Sequence, residues 1–184
     1  QAIARKNKLT SFLRENNYEK LSKRPNVTIY TGKGSLVSAN TVKVALPEEE
    51  IELQGKEIFI NTGSTPIIPS IEGIQQSRNV YTSTTLLELD ILPKHLIIVG
   101  GGYIGLEFSS MYSGFGSEVT VIQNEARLIP REDEDIASEI QKVMEEKGVK
   151  FVIGAAISGI RKEGDWSYVH YSVDGKEGDL EADA

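Results

Sequence analysis

Leu96-Ile97-Ile98-Val99, followed at once by Gly100-Gly101-Gly102-Tyr103-Ile104-Gly105, decides the fold. Four consecutive apolar residues suit a strand inside a parallel sheet, where crossover helices cover both faces. Leu106 to Tyr112 then reads as a helix, broken by Gly114 and Gly116, and Val119-Thr120-Val121-Ile122 reads as a second buried strand. Strand, Gly-x-Gly-x-x-Gly, helix, strand is the pattern of a dinucleotide-binding βαβ unit. Gly100 permits the sharp turn, Gly102 lets the backbone approach a pyrophosphate, and Gly105 lets the helix lie close on the sheet. The phosphates would meet free N–H groups at the positive end of the helix dipole. The candidate cradle is therefore Gly100, Gly101, Gly102, Tyr103, Ile104 and Gly105.

The pattern continues downstream. Pro130-Arg131-Glu132-Asp133-Glu134-Asp135 opens a second helix with acids at its positive end. Ile136, Ile140, Val143 and Met144 recur at helical spacing, Gly148 stops the helix, and Val149 to Ile153 forms a third strand. From about 156 to 181 the chain alternates, with Glu163-Gly164-Asp165 and Asp174-Gly175 as hairpin turns. The usual ribose-binding acid lies about 20 residues beyond the glycines. That position is Gln123, followed by Asn124. Gln123 can bond a ribose without repelling an added phosphate. Arg127 and Arg131 stand near enough in sequence to pair with a 2′-phosphate, and Glu125 would oppose one if it pointed inward. NAD and NADP both remain open.

Upstream, Gln1 to about Leu21 reads as a helix with Leu9, Phe12, Leu13 and Leu21 near one face, ended by Arg24-Pro25-Asn26. Residues 26 to 61 switch to a period of two. Val27 and Ile29, Leu36, then Val42, Val44 and Leu46, then Ile51 and Leu53, then Ile58 and Ile60 mark short strands of an antiparallel meander. Residues 64 to 94 read as a linker holding Pro66, Pro69 and Pro93. A short helix within it is capped by Ser83 or Thr84 and faced by Leu86, Leu87 and Leu89.

The composition bounds the chemistry. The 184 residues carry 20 Lys and Arg against 27 Asp and Glu, a net charge of −7. That dispersed acidic balance argues against a nucleic-acid partner or an anionic membrane surface. No run reaches membrane-spanning length and no signal-peptide pattern opens the chain, so a cytoplasmic location is expected. Cysteine is absent and histidine is confined to His95 and His170. Disulfides, thiolate chemistry and a histidine-rich metal centre are thereby excluded from this chain.

Beyond the glycine motif, Ile60-Asn61-Thr62-Gly63-Ser64-Thr65-Pro66, Tyr81 to Leu89, Val99 to Phe108 and Leu128 to Asp135 together carry a resemblance. The chain resembles the flavin-dependent pyridine nucleotide-disulfide oxidoreductases, which include dihydrolipoamide dehydrogenase, glutathione reductase and mercuric reductase. The resemblance implies an α/β fold. Residues 1–75 would be part of an FAD domain, a helix plus a β-meander. Residues 76–184 would be a Rossmann-like NAD(P) domain inserted in it, a parallel sheet with helices plus its own antiparallel meander, stopping short of its last strand. It implies that Gly100, Gly102 and Gly105 receive the NAD(P) pyrophosphate and that Tyr103 gates the nicotinamide site. Glu107 would reach the nicotinamide and a lysine of the FAD domain, and Thr62 and Gly63 would bring backbone against FAD. It also implies a parent enzyme that takes hydride from NAD(P)H to FAD and then to a disulfide or related acceptor, as a homodimer built through a further C-terminal domain. The redox cysteines and the acid-base histidine would lie outside residues 1–184, so no catalytic residue is expected in this chain. Two alternatives stay open: a non-catalytic nucleotide-binding module, or part of a single-cysteine NADH oxidase or peroxidase.

Overall fold

In the computed structural model, which describes residues 1–184, the chain divides between Thr65 and Pro66 into two units. The first holds helix α1 (Ala2–Ser22) and strands β1 (Lys33–Ser38), β2 (Thr41–Ala45) and β3 (Glu50–Gln54). The helix forms where its spacing predicted, yet none of its residues is buried, and Leu9, Phe12, Leu13 and Leu21 are all exposed. The three strands pair as an antiparallel meander in the order β1-β2-β3, with Val44 facing Ile51 and Val42 facing Leu53. The first turn is fixed locally: Asn40 N–H donates to Ser38 Oγ (3.3 Å), and Ser38 Oγ donates to Asn40 Oδ1 (2.9 Å). The strands expected at Val27–Ile29 and Ile58–Ile60 do not form. Their alternation is local, whereas a strand exists only if a partner takes its N–H and C=O groups, and neither segment joins the sheet.

The second unit is layered. Strands β4 (His95–Val99), β5 (Glu118–Gln123) and β6 (Lys150–Ile153) form a parallel sheet in that order. Helices α3 (Tyr103–Phe115) and α4 (Glu134–Glu146) are the crossovers. Strands β7 (Ala156–Glu163), β8 (Trp166–Val173) and β9 (Lys176–Ala182) form a separate antiparallel sheet. The turns fall where glycine was expected: Gly164, Asp174 and Gly175 all have positive φ. Alternation along β5 splits the core. Val119 and Val121 pack with Phe108, Tyr112 and Met144 on the helix side, while Ile122 packs with Ile160 and Val169 of the antiparallel sheet. Each such side chain, fully buried, contributes about 1.5–3 kcal/mol.

Several expectations are corrected. Strand β4 is only partly covered: Ile97 and Ile98 are half-buried and Val99 is exposed, because all three line an open cavity. On the edge away from β5, Ile97 N–H donates to Ala184 C=O (3.0 Å), and the Asp183 carboxylate accepts from the N–H groups of Lys94 and His95. Helix α3 begins at Tyr103, three residues before Leu106, and runs through Gly114 to end at Gly116, whose φ is 101°. Helix α4 begins at Glu134 behind an Asp133 cap; Ala137 takes a core position, whereas Ile136 and Val143 point outward. The short helix α2 (Ser83–Leu86) is capped by Thr82, not Ser83 or Thr84, in a reciprocal capping box with Thr85. Residues 66–75, expected before a boundary at 75, belong to the second unit, where Ile71 and Ile74 pack on the antiparallel sheet and Glu72 bridges Gly159. No helix is long and apolar enough to cross a membrane.

Candidate functional site

The carboxyl end of β4 opens into a cavity of about 980 Å³. Its walls include Pro66, Ile98, Val99 and Phe108, and its polar edge is the glycine turn with Tyr103 and Ile104. The four glycines are used differently. Gly100 has φ 109°, which an L side chain rarely adopts, and its N–H goes to Ile122 C=O (2.8 Å). A Cβ at Gly101 would collide with the Leu128 side chain, and one at Gly105 would strike the Gly100 carbonyl. A Cβ at Gly102 would meet nothing within 4 Å. A Cβ at Gly100 would also meet nothing, but its left-handed φ disfavours a side chain; Gly102 alone of the four combines an open flank with a backbone that any residue could adopt.

Backbone donors sort the same way. The first helical bond of α3 runs from Leu106 N–H to Gly102 C=O (3.0 Å), and no side chain caps the helix. The N–H groups of Gly102, Tyr103, Ile104 and Gly105 precede that bond, so they are the unsatisfied donors at the positive end of the dipole. Gly101 is different. Its N–H donates to Gln123 Oε1 (3.0 Å) and its carbonyl accepts from Ile129 N–H (3.0 Å). Gly100 and Gly101 thus shape the turn, and the next four residues carry its free donors.

Gln123 ends β5 and is buried, 5% exposed. Its Nε2 donates to Arg127 C=O (3.1 Å), so both polar ends of the side chain are engaged below the turn. Arg127 is turned inward: its guanidinium donates to the carbonyls of Pro130 (2.9 Å) and Glu132 (3.1 Å). Asn124 and Arg131 are exposed, as is Glu107 in the second turn of α3. None of Gln123, Asn124, Arg127 or Arg131 lines the cavity. Tyr103, at the cavity mouth, donates its phenol to the Glu132 carboxylate. That hydrogen bond, with some desolvation, raises Tyr103 above the ordinary tyrosine range, against an opposing pull from Arg131. Thr62 and Gly63 belong to the first unit, where both are exposed and Gly63 has φ 73°.

Ile129 is a feature no sequence signal marked. Its φ is 35°, left-handed for a β-branched residue, yet it is 3% exposed and packs with Leu106, Leu128 and Ala137. Gly101 and Gln123 were singled out, but as ligand contacts. Their engagement with the loop at 127–129 depends on which way two side chains fold, and residue type does not carry that.

The comparisons agree with this architecture. The family model described as pyridine nucleotide-disulphide oxidoreductase matches residues 2–184. The probable pyridine nucleotide-disulfide oxidoreductase RclA of Escherichia coli is 41% identical over 170 residues, covering 92% of this chain and 38% of that protein. Mercuric reductase of Lysinibacillus sphaericus is 35% identical over 181 residues, covering 98% of this chain and 32% of its own length. A solved structure of a Cu(II) complex of the HOCl-induced flavoprotein disulfide reductase RclA from E. coli superposes with a TM-score of 0.91 at 40% identity, over 100% of this chain and 41% of that one. The chain thus spans less than half the length of these relatives. With the glycine turn, the parallel sheet and the matched model in agreement, the chain belongs to the pyridine nucleotide-disulphide oxidoreductase family.

Proposed function

We propose that the second unit binds the pyrophosphate of a nicotinamide dinucleotide at the start of α3, and that a whole protein containing this chain uses NAD(P)H to reduce FAD and then a disulfide or related acceptor. One observation carries the binding half: four unpaired N–H groups edge the cavity beside a glycine whose flank is open. A diphosphate fits that donor set, because it brings acceptor oxygens and negative charge to the positive end of a helix. The oxidoreductase half rests on family membership.

In this reading the dinucleotide supplies hydride chemistry, and the protein supplies binding and orientation. Gly102, Tyr103, Ile104 and Gly105 donate N–H groups to the phosphates. Tyr103 lies over the mouth of the cavity, and Glu107, one turn along α3, is the proposed contact toward the nicotinamide end. Thr62 and Gly63 are the proposed backbone contacts to FAD; two residues do not hold a flavin, so FAD belongs to the larger protein, as does any dimer interface.

The test is Gly102→Ala. Its φ of −81° suits alanine and the new methyl touches nothing in the chain, so the fold should be retained. The methyl would occupy the space of the pyrophosphate, and calorimetric titration with NADH should show affinity reduced at least about tenfold, or roughly 1.4 kcal/mol. Unchanged affinity would place the dinucleotide elsewhere.

A further inference from the structure

We propose that Gln123 and Arg127 are positioning residues for the glycine turn and touch neither the ribose nor a 2′-phosphate, so that changing either weakens NADH and NADPH alike. The proposal rests on the pyrophosphate reading of Gly102 to Gly105.

Gln123 occupies the place where such units usually carry a ribose-binding acid. Here the side chain is folded under the turn. Its carbonyl takes the Gly101 N–H and its amide holds the Arg127 carbonyl. A glutamine is suited to this because it presents one acceptor and donors at one terminus. A glutamate would keep the bond from Gly101 but would lose the donor to Arg127 and bury a charge against a carbonyl. The absence of an acid at this position then follows from the turn's own bonding and says nothing about which dinucleotide is bound.

Arg127 completes the frame. Its carbonyl receives Gln123, and its guanidinium closes the loop onto Pro130 and Glu132. The loop returns to the turn through Ile129 N–H and the Gly101 carbonyl. Gly101 is thereby held at both its polar atoms, which fixes the start of α3 and the direction of the free donors that follow. Both bonds are made by Nη2, which ties that end of the guanidinium to its own loop, and Arg127 does not line the cavity where the pyrophosphate is proposed to sit.

The experiment titrates NADH and NADPH separately into wild type, Gln123→Met, Gln123→Glu and Arg127→Met, with thermal unfolding as a check on folding and amide exchange at Gly101 measured without nucleotide. Arg127 is half-buried rather than buried, so its variant serves if the Gln123 variants unfold. The expected result is a loss of about three- to tenfold for both dinucleotides in each variant, consistent with losing one or two hydrogen bonds, with the NADH-to-NADPH ratio held. Faster exchange of the Gly101 amide in Gln123→Met is expected as well. A ratio shifted toward NADH by Gln123→Glu would make Gln123 a ribose contact and overturn the proposal. A loss confined to NADPH in Arg127→Met would make that residue a phosphate contact and overturn it too. Unchanged Gly101 exchange would overturn the positioning role by itself. If wild type bound neither dinucleotide, the pyrophosphate reading would fall, and the equal-loss claim with it, a pattern distinct from any ratio change.

Discussion

Helix α1 has 21 residues and buries none of them, whereas helix α3 has 13 and buries Leu106, Phe108, Ser109 and Tyr112. Both are helices, and both carry apolar side chains. The difference is the surface opposite. Helix α3 is tied at both ends to strands of one sheet and lies on Leu96, Val119 and Val121, while α1 leads into a meander whose first strand is exposed throughout. Helical spacing therefore predicts a helix, and only the topology decides whether its face becomes core. Most helical stability comes from that packing rather than from propensity.

The contrast can be broken most directly in the two cores. Ile122→Ala removes a fully buried side chain between the two sheets of the second unit and should cost about 2–4 kcal/mol in chemical denaturation. Leu13→Ala, on the exposed face of α1, should change stability by no more than about 0.5 kcal/mol. Comparable losses would mean that α1 is packed in solution after all.

A sharper version compares glycines. Gly105→Ala drives a methyl against the Gly100 carbonyl, where backbone must move, and should cost about 1–3 kcal/mol with a lowered thermal midpoint. In the first unit, Gly34→Ala adds a methyl at ordinary contact distance from Val42 (3.8 Å) and should shift stability by under about 1 kcal/mol, in the stabilising direction. A large loss at Gly34 would show a tighter meander than the one described.

The smallest effect concerns the start of α3. Tyr103 is exposed, and its raised ionisation means that its bond to Glu132 holds at neutral pH and is lost as alkali ionises the phenol. An ultraviolet titration should show two tyrosines ionising above the ordinary range, Tyr103 and Tyr112, the latter raised by burial, and Tyr103→Phe should remove one of them. Persistence of both in the variant would assign the Tyr103 shift to another tyrosine.

How much was legible follows the same divide between local and non-local. The strand-turn-helix from Leu96 to Phe108 was readable because Gly100, by its left-handed φ, and Gly105, by its approach to the Gly100 carbonyl, meet local steric needs that only glycine meets. The hairpin turns at Gly164 and at Asp174-Gly175 were readable for the same reason. The missing strands at Val27 and Ile58 were not, since alternation cannot reveal an absent partner. Among Thr82, Ser83 and Thr84, composition could not choose the cap, because the choice depends on where Thr85 returns its own bond. At Gln123 the residue was legible and its bonds to Gly101 and Arg127 were not, because a glutamine at a strand end can reach outward or fold beneath the turn.

The left-handed Ile129 has a consequence for how this surface can change. A backbone geometry of that kind carries roughly 1–3 kcal/mol of strain. It persists because the side chain is buried beside Leu128, the residue that also walls off the flank of Gly101. Glycine at 129 would relax the backbone and leave a hole; any larger residue at 101 would invade the space Leu128 fills. The two segments are therefore expected to covary, so that a tolerated replacement in one is matched by a compensating replacement in the other.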